Sequence, residues 1–264
     1  MIGVFDSGVG GLTVLAALRR ALPQASFIYL GDTARLPYGT KSPDTVVRYS
    51  LQCAQRLVDR GIELLVVACN TASASSLGAL QARYPQLPVI GVIEPGAAAA
   101  VTASRSQRIA VIGTEGTIEG GAYPAAIKRL NAAAQVTTLA CSLFVAMAEE
   151  GWTDGAIAES VARRYLDPLF GTGRPAPDTL VLGCTHFPLL AAAIHTVLPD
   201  SVKLVDSAQV TAAAVVRQYR NPKPAASVGT VRFLATDGAG RFARVGGRFL
   251  GTPLSPSDVE IIDL

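Results

Sequence analysis

Val66-Val67-Ala68-Cys69-Asn70-Thr71 and Val181-Leu182-Gly183-Cys184-Thr185-His186 share one pattern: an apolar run, a cysteine, then polar residues that open the next element. A short apolar run without polar alternation reads as a strand buried on both faces, the kind found in parallel sheets. A second pair of segments repeats in the same order. Ile2-Gly3-Val4-Phe5-Asp6-Ser7-Gly8 resembles Ile109-Ala110-Val111-Ile112-Gly113-Thr114-Glu115-Gly116, each a strand that ends in a small polar turn. Cys69 stands 67 residues after Ile2, and Cys184 stands 75 after Ile109. The chain therefore reads as two similar α/β halves, each placing a cysteine at the C-terminal end of a strand. Ligands of parallel α/β sheets bind outside those strand ends, so the two thiols would face each other across a cleft.

Outward from these blocks the alternation continues. Phe27–Leu30, Val89–Val92, Val136–Leu139 and Lys203–Val205 complete a set of eight strands with Ile2–Phe5, Leu64–Ala68, Ile109–Ile112 and Leu180–Leu182. Between them Leu12–Ala21, Thr45–Arg60, Ala72–Tyr84, Ala97–Ala103, Tyr123–Ala133, Ala156–Phe170, Leu189–Leu198 and Thr211–Tyr219 read as helices. Near the C-terminus, Thr230–Phe233, Gly246–Leu250 and Val259–Ile262 read as strand-like. Boundaries are expected near Glu94-Pro95-Gly96 and Asp206-Ser207. They give a first domain of residues 1–95, completed by 207–264, and a second of 96–206.

Composition excludes several classes. Of 264 residues, half are hydrophobic and 16% charged, which argues against disorder. Mean hydropathy is +0.36, but no window offers the roughly 20 apolar residues of a spanning helix, so no membrane role is expected. Met1-Ile2-Gly3-Val4-Phe5 reads as a strand and not as a signal peptide, which points to the cytoplasm. Cys53, Cys69, Cys141 and Cys184 are widely spaced without a CxxC pair, and there are only two histidines. Neither a disulfide framework nor a metal site is expected. The net charge of +3 carries no dense basic run, so nucleic-acid binding has little support.

The chemistry gathers at the strand ends. Cys69 precedes Asn70-Thr71-Ala72-Ser73, a helix start whose N–H groups are expected to lower the thiol pKa. Cys184 has the same placement, with His186 two residues on as a proton partner or anion binder. Inverting a carbon centre requires a proton removed on one face and another delivered on the opposite face. Two like groups, one ionised and one protonated, do this in both directions, and a thiol is only about 3% ionised at pH 7 unless tuned. Asp6 and His186 are candidate tuners. Asp6-Ser7-Gly8-Val9-Gly10-Gly11-Leu12 is a strand-to-helix turn with backbone N–H groups for an anion, yet neither GxGxxG nor a P-loop. The loop from Asp32 to Thr40, with Pro37-Tyr38-Gly39 at its turn, is read as a rim supplying donors to a carboxylate. Thr114, Gly116 and Thr117 would do the same from the second half. Cys53 and Cys141 read as packing, and Glu149-Glu150 as a solvated helix end.

Phe5-Asp6-Ser7-Gly8-Val9-Gly10-Gly11-Leu12, Pro37-Tyr38-Gly39, Ala68-Cys69-Asn70-Thr71-Ala72-Ser73 and Gly183-Cys184-Thr185-His186-Phe187-Pro188-Leu189-Leu190 together resemble the bacterial glutamate racemases of the aspartate/glutamate racemase family. The resemblance implies two pseudo-symmetric, doubly wound α/β domains with mostly parallel sheets and the active site in the cleft between them. It implies interconversion of L- and D-glutamate without a cofactor, supplying D-glutamate for peptidoglycan. Cys69 would take the α-proton of D-glutamate and Cys184 that of L-glutamate, assisted by Asp6 and His186. Asp6, Ser7, Pro37, Tyr38, Gly39, Asn70, Thr71, Thr114, Thr117, Thr185 and His186 would hold the substrate, and Glu149 matches an acidic assistant. The chain departs from the family at Ala146, where a proline is usual. It also opens directly on its first strand, whereas members activated by a cell-wall precursor share an N-terminal extension, so that activation is not expected.

Aspartate racemase is the nearest alternative; Thr185-His186 and Asp6-Ser7 favour glutamate over it. Among partners, the resemblance allows a homodimer and, through members that inhibit it, DNA gyrase; the sequence displays no surface for the latter. A thiol redox role is opposed by the cysteine spacing.

Overall fold

The computed structural model describes residues 1–171, 175–219 and 229–264. Among the described residues ten strands form two sheets in which every pairing is parallel. β1 (Ile2–Asp6), β2 (Phe27–Gly31), β3 (Leu64–Val67), β4 (Val89–Gly91), β9 (Val231–Ala235) and β10 (Val259–Ile261) make a six-stranded sheet in the order β10-β9-β2-β1-β3-β4. β5 (Arg108–Gly113), β6 (Gln135–Ala140), β7 (Thr179–Gly183) and β8 (Lys203–Asp206) make a four-stranded sheet in the order β6-β5-β7-β8. In each sheet the chain leaves one strand for its neighbour on one side, then returns to pair on the other side. Those reversals lie between β1 and β3 and between β5 and β7. Ligands gather at such switch points, and Cys69 and Cys184 directly follow β3 and β7.

The helices are α1 (Leu12–Ala21), α2 (Pro43–Val58), α3 (Asn70–Arg83), α4 (Ile93–Ala103), α5 (Glu115–Glu119), α6 (Ala122–Leu130), α7 (Leu143–Glu150), α8 (Gly155–Phe170), α9 (Ala191–Val197), α10 (Ser207–Gln218) and α11 (Ala239–Leu250). Side chains alternate across each strand, so each sheet feeds two cores. Val4 on β1 and Ala110 and Ile112 on β5 join one cluster that runs through both halves. Phe5 with β3's Leu65 and Val67 face a second cluster, and Ile109 with Val111 a third. The halves therefore share a core and are not two beads on a string.

One reading of the sequence needs correction. Gly246–Leu250, expected as strand-like, is the C-terminal half of α11. Its apolar residues recur at helical spacing, with Phe242, Val245, Gly246, Phe249 and Leu250 all buried. Glu94-Pro95-Gly96, near which a boundary is expected, lies in the first turn of α4, where a proline lacks no needed hydrogen bond. The chain thus passes from the larger sheet to the smaller through α4 and returns through α10, and these two helices pack against each other. Among the described residues, no helix is long and apolar enough to cross a membrane.

Candidate active site

Cys69 caps α3 from the end of β3, and its sulfur accepts the Ala72 N–H at 3.4 Å. Its thiol also reaches Ser7 Oγ at 3.5 Å. Cys184 stands at the equivalent end of β7, but no α-helix starts there: a 3-10 turn over Phe187–Leu190 precedes α9. Both sulfurs belong to residues only 6% exposed, and all four cysteines are free. The two thiols line one cavity of about 50 Å³. Ser7, Pro37, Tyr38, Gly39, Asn70 and Thr71 wall it from the first half, and Thr114, Thr117, Val145, Thr185 and His186 from the second. Asp6 and Glu149 do not line it.

The glycine turn is not an open anion cradle. Its anion is internal: the Asp6 carboxylate accepts the Gly8 N–H through Oδ2 at 2.9 Å, while its buried Oδ1 has no partner. Gly10 instead allows contact between the halves, because a β-carbon there would lie 2.4 Å from Thr185 Oγ1 and 2.5 Å from the His186 ring. Thr13 Oγ1 reinforces the contact by donating to the carbonyls of Gly10 and Thr185. Burial pushes the Asp6 carboxyl above its ordinary range, against the pull of His186 and the loop N–H groups.

Cys69 departs from expectation. Burial first, then the charge of Asp6, push its thiol up to about 12, outweighing the hydrogen bonds from Ser7 and Ala72. The helix start alone does not make a thiolate in this closed site, because the N–H contribution is small beside the lost hydration. His186 lies on the opposite wall with Nδ1 3.7 Å from Cys184 Sγ and Nε2 3.2 Å from Glu149 Oε1. Burial opposes its charge, yet the bonds to Cys184 and Glu149 and the nearby Asp6 lift it to about 10. Glu149 is held below its ordinary range despite partial burial, by His186 and by Arg241, whose Nη2 is 2.6 Å from Oε2. Glu149 is thus no solvated helix end.

Three hydroxyls join the halves at the cavity's far side: Thr71, Thr114 and Thr117 lie within 3.0 to 3.2 Å of one another. Asn70 accepts from the Tyr123 hydroxyl through Oδ1 at 2.8 Å, leaving its buried Nδ2 without a partner. Tyr38 offers its ring and backbone, because its hydroxyl bonds Asp32. Buried Asp32 also takes Arg35 Nε at 2.7 Å and Thr236 Oγ1 at 3.0 Å, and so ties down the Pro37-Tyr38-Gly39 rim. Val145, Tyr123 and Arg241 escaped the sequence reading, and Asp32 entered it only as the first residue of the rim loop. Only Asp32 carried a signal, an acid at a strand's C-terminal end. Among the described residues, no group of three or more His, Cys, Asp or Glu side chains suits a metal ion.

Comparison with known proteins agrees with this geometry. The sequence pattern of the Asp/Glu/Hydantoin racemase family matches residues 11–215. A glutamate racemase of Geobacter metallireducens is 56% identical over 96% of this chain and 93% of its own length. One of Aquifex aeolicus is 46% identical over 97% of this chain and 96% of its own. Among solved structures, glutamate racemase isoform RacE1 of Bacillus anthracis superposes with a TM-score of 0.91 at 38% identity, covering 100% of this chain and 97% of its own. The Francisella tularensis glutamate racemase, solved with D-glutamate, gives 0.88 at 35% identity, covering 99% and 97%. With cysteines at both switch points and relatives of this closeness along nearly its whole length, the chain belongs to the Asp/Glu/Hydantoin racemase family, among its glutamate racemases.

Proposed function

We propose that this chain interconverts L- and D-glutamate by passing the α-proton between the substrate carbon and two thiols, Cys69 and Cys184. The observation that carries the reading is the pair of buried cysteines on equivalent strand ends, lining a single cavity from opposite halves. With D-glutamate, the Cys69 thiolate removes the proton from Cα and the Cys184 thiol delivers one to the other face. The carbanion is consumed as the second C–H bond forms, so each turnover leaves Cys69 protonated and Cys184 ionised. L-Glutamate runs the same steps in reverse.

A raised Cys69 thiol suits this scheme. The substrate's α-ammonium brings positive charge beside Cys69 and favours the thiolate when there is a proton to remove. On the other wall, protonated His186 stabilises a Cys184 thiolate and, held by Glu149, keeps its ring aimed at the sulfur. Asn70 Nδ2 and the Thr71, Thr114 and Thr117 hydroxyls supply donors for carboxylate oxygens, with Ser7 and Thr185 beside the two sulfurs. Asp6, beneath Cys69, acts through that thiol. D-Glutamate made here feeds peptidoglycan synthesis, and we place the reaction in the cytoplasm. We also take residues 1–95 with 207–264, and residues 96–206, as the two domains, a division supported by sheet membership.

The test is circular dichroism of the purified protein with D-glutamate under reducing conditions. The optical signal is expected to decay to zero with D-glutamate and to persist with D-aspartate. Cys69→Ala and Cys184→Ala should each remove racemisation while retaining the folded spectrum. Either variant turning over at the parent rate would falsify the two-thiol scheme.

A further inference from the structure

Helix α11 belongs to the half that carries Cys69, yet three of its side chains reach the half that carries Cys184. Arg241 Nη2 donates to Glu149 Oε2 at 2.6 Å. Arg248 Nη1 donates to the Glu149 backbone carbonyl at 2.7 Å. The Phe249 ring stands edge-on to His186 with centroids 4.9 Å apart. Next to this contact α7 ends on Gly151, at φ +81°, where a β-carbon would lie 3.0 Å from the Arg248 guanidinium. Glycine there serves both the left-handed turn and the passage of the arginine.

The two oxygens of Glu149 are therefore divided between partners: Oε1 meets His186 and Oε2 meets Arg241. A carboxylate bonded at one oxygen can swing about its last torsion, whereas bonds to both oxygens fix its plane. The plane of Glu149 fixes the height of His186 Nε2, and the opposite nitrogen of that ring lies against Cys184. The run Cys184, His186, Glu149, Arg241 thus begins in the second half and ends on a cation anchored in the first.

We propose that Arg241, seconded by Arg248, is a positioning residue for Cys184 that engages when the two halves close. It holds Glu149, Glu149 holds the imidazole, and the imidazole faces the second thiol. Parting the halves would carry α11 away from Glu149 and free the ring, so the alignment of the Cys184 side depends on the contact between the halves. The inference rests on the two-thiol reading and deepens it. Arg241 is 46% exposed and lines no part of the cavity, so its influence on the reaction has to pass through Glu149.

The experiment is a double-mutant cycle of Arg241→Gln and Glu149→Gln, read as kcat and KM for both enantiomers by circular dichroism. Arg241→Gln is expected to lower kcat by about tenfold and leave KM within about twofold, as befits a group that does not touch substrate. In the Glu149→Gln background the same change should cost less than about twofold, because the pair acts as a unit. Arg241→Lys, which keeps the charge, should recover most of kcat. Equal fractional losses in the two backgrounds, or no loss in either, overturn the proposal. If Arg241→Gln does not fold, Arg241→Met, which also removes the charge and keeps the length of the side chain, is carried through the same cycle against the same criteria. Cys184→Ala separates the two levels: activity surviving in that variant removes the two-thiol reading itself, whereas an additive cycle beside an inactive Cys184→Ala removes only the role of Arg241.

Discussion

At the scale of single residues, the proton inventory of the site is uneven. His186 is buried yet lifted from its ordinary 6.5 to about 10, so the folded protein retains a proton that the unfolded chain releases near neutrality. Between those values the folded state binds more protons, and stability must fall as pH rises. The contribution is whole below pH 6.5 and lost as pH climbs toward 10. The thermal midpoint should therefore drop from pH 6.5 to 8, where unfolded thiols are still mostly protonated, and His186→Asn should flatten that slope. An identical slope in the variant would show that the imidazole charge is not held by the fold. The cysteines behind this network were legible from sequence because each followed an apolar strand and preceded polar residues, twice over. The elevated Cys69 thiol was not legible, because it depends on burial and on the Asp6 charge, both products of the closed tertiary structure.

At the scale of elements, two helix-interior glycines make opposite predictions. Gly78 in α3 has nothing within 4 Å of a β-carbon, so Gly78→Ala should stabilise by about 0.4–1 kcal/mol through helix propensity and the unfolded chain. Gly246 in α11 has the same propensity, but its β-carbon would lie 2.7 Å from Leu12 Cδ1, a fully buried side chain of α1. Gly246→Ala should destabilise by about 1–3 kcal/mol as overpacking outweighs propensity. Chemical denaturation of both variants checks the pair; a gain at Gly246 would mean that α1 and α11 have room to separate. The same glycine explains why α11 was misread. A short window opening on Gly246-Gly247 reveals no period, whereas the span from Phe242 to Leu250 shows the three-and-four spacing clearly. Continuous apolar strands such as β1, β3 and β7 needed no such span and could be read directly, whereas β6 and β8 are less apolar and only partly buried.

At the scale of the whole molecule, the cavity is the decisive feature. About 50 Å³ is far below the roughly 300 Å³ at which ligand pockets begin, so seating an amino acid requires the cavity walls to move apart. What holds them together can be tested at Gly10, which sits on the first half directly against Thr185 and His186 of the second. The β-carbon of an alanine there would stand 2.4 Å from Thr185 Oγ1 and 2.5 Å from the His186 ring. Neither neighbour can retreat easily: Thr185 is 4% exposed and His186 9%, the latter pinned by Glu149 and Phe249. The strain is relieved most cheaply by displacing one half relative to the other, which widens the cavity and moves the two sulfurs apart. Gly10→Ala should therefore alkylate faster at Cys69 and Cys184 with a small neutral maleimide, followed by mass spectrometry. Its kcat should fall by about a hundredfold, since displacements near 1 Å in reacting groups cost that much. Faster alkylation together with lost turnover ties catalysis to the fit between the halves. Unchanged alkylation and unchanged kcat would mean that the glycine turn yields locally, and that closure is set instead by the shared core and the paired helices α4 and α10.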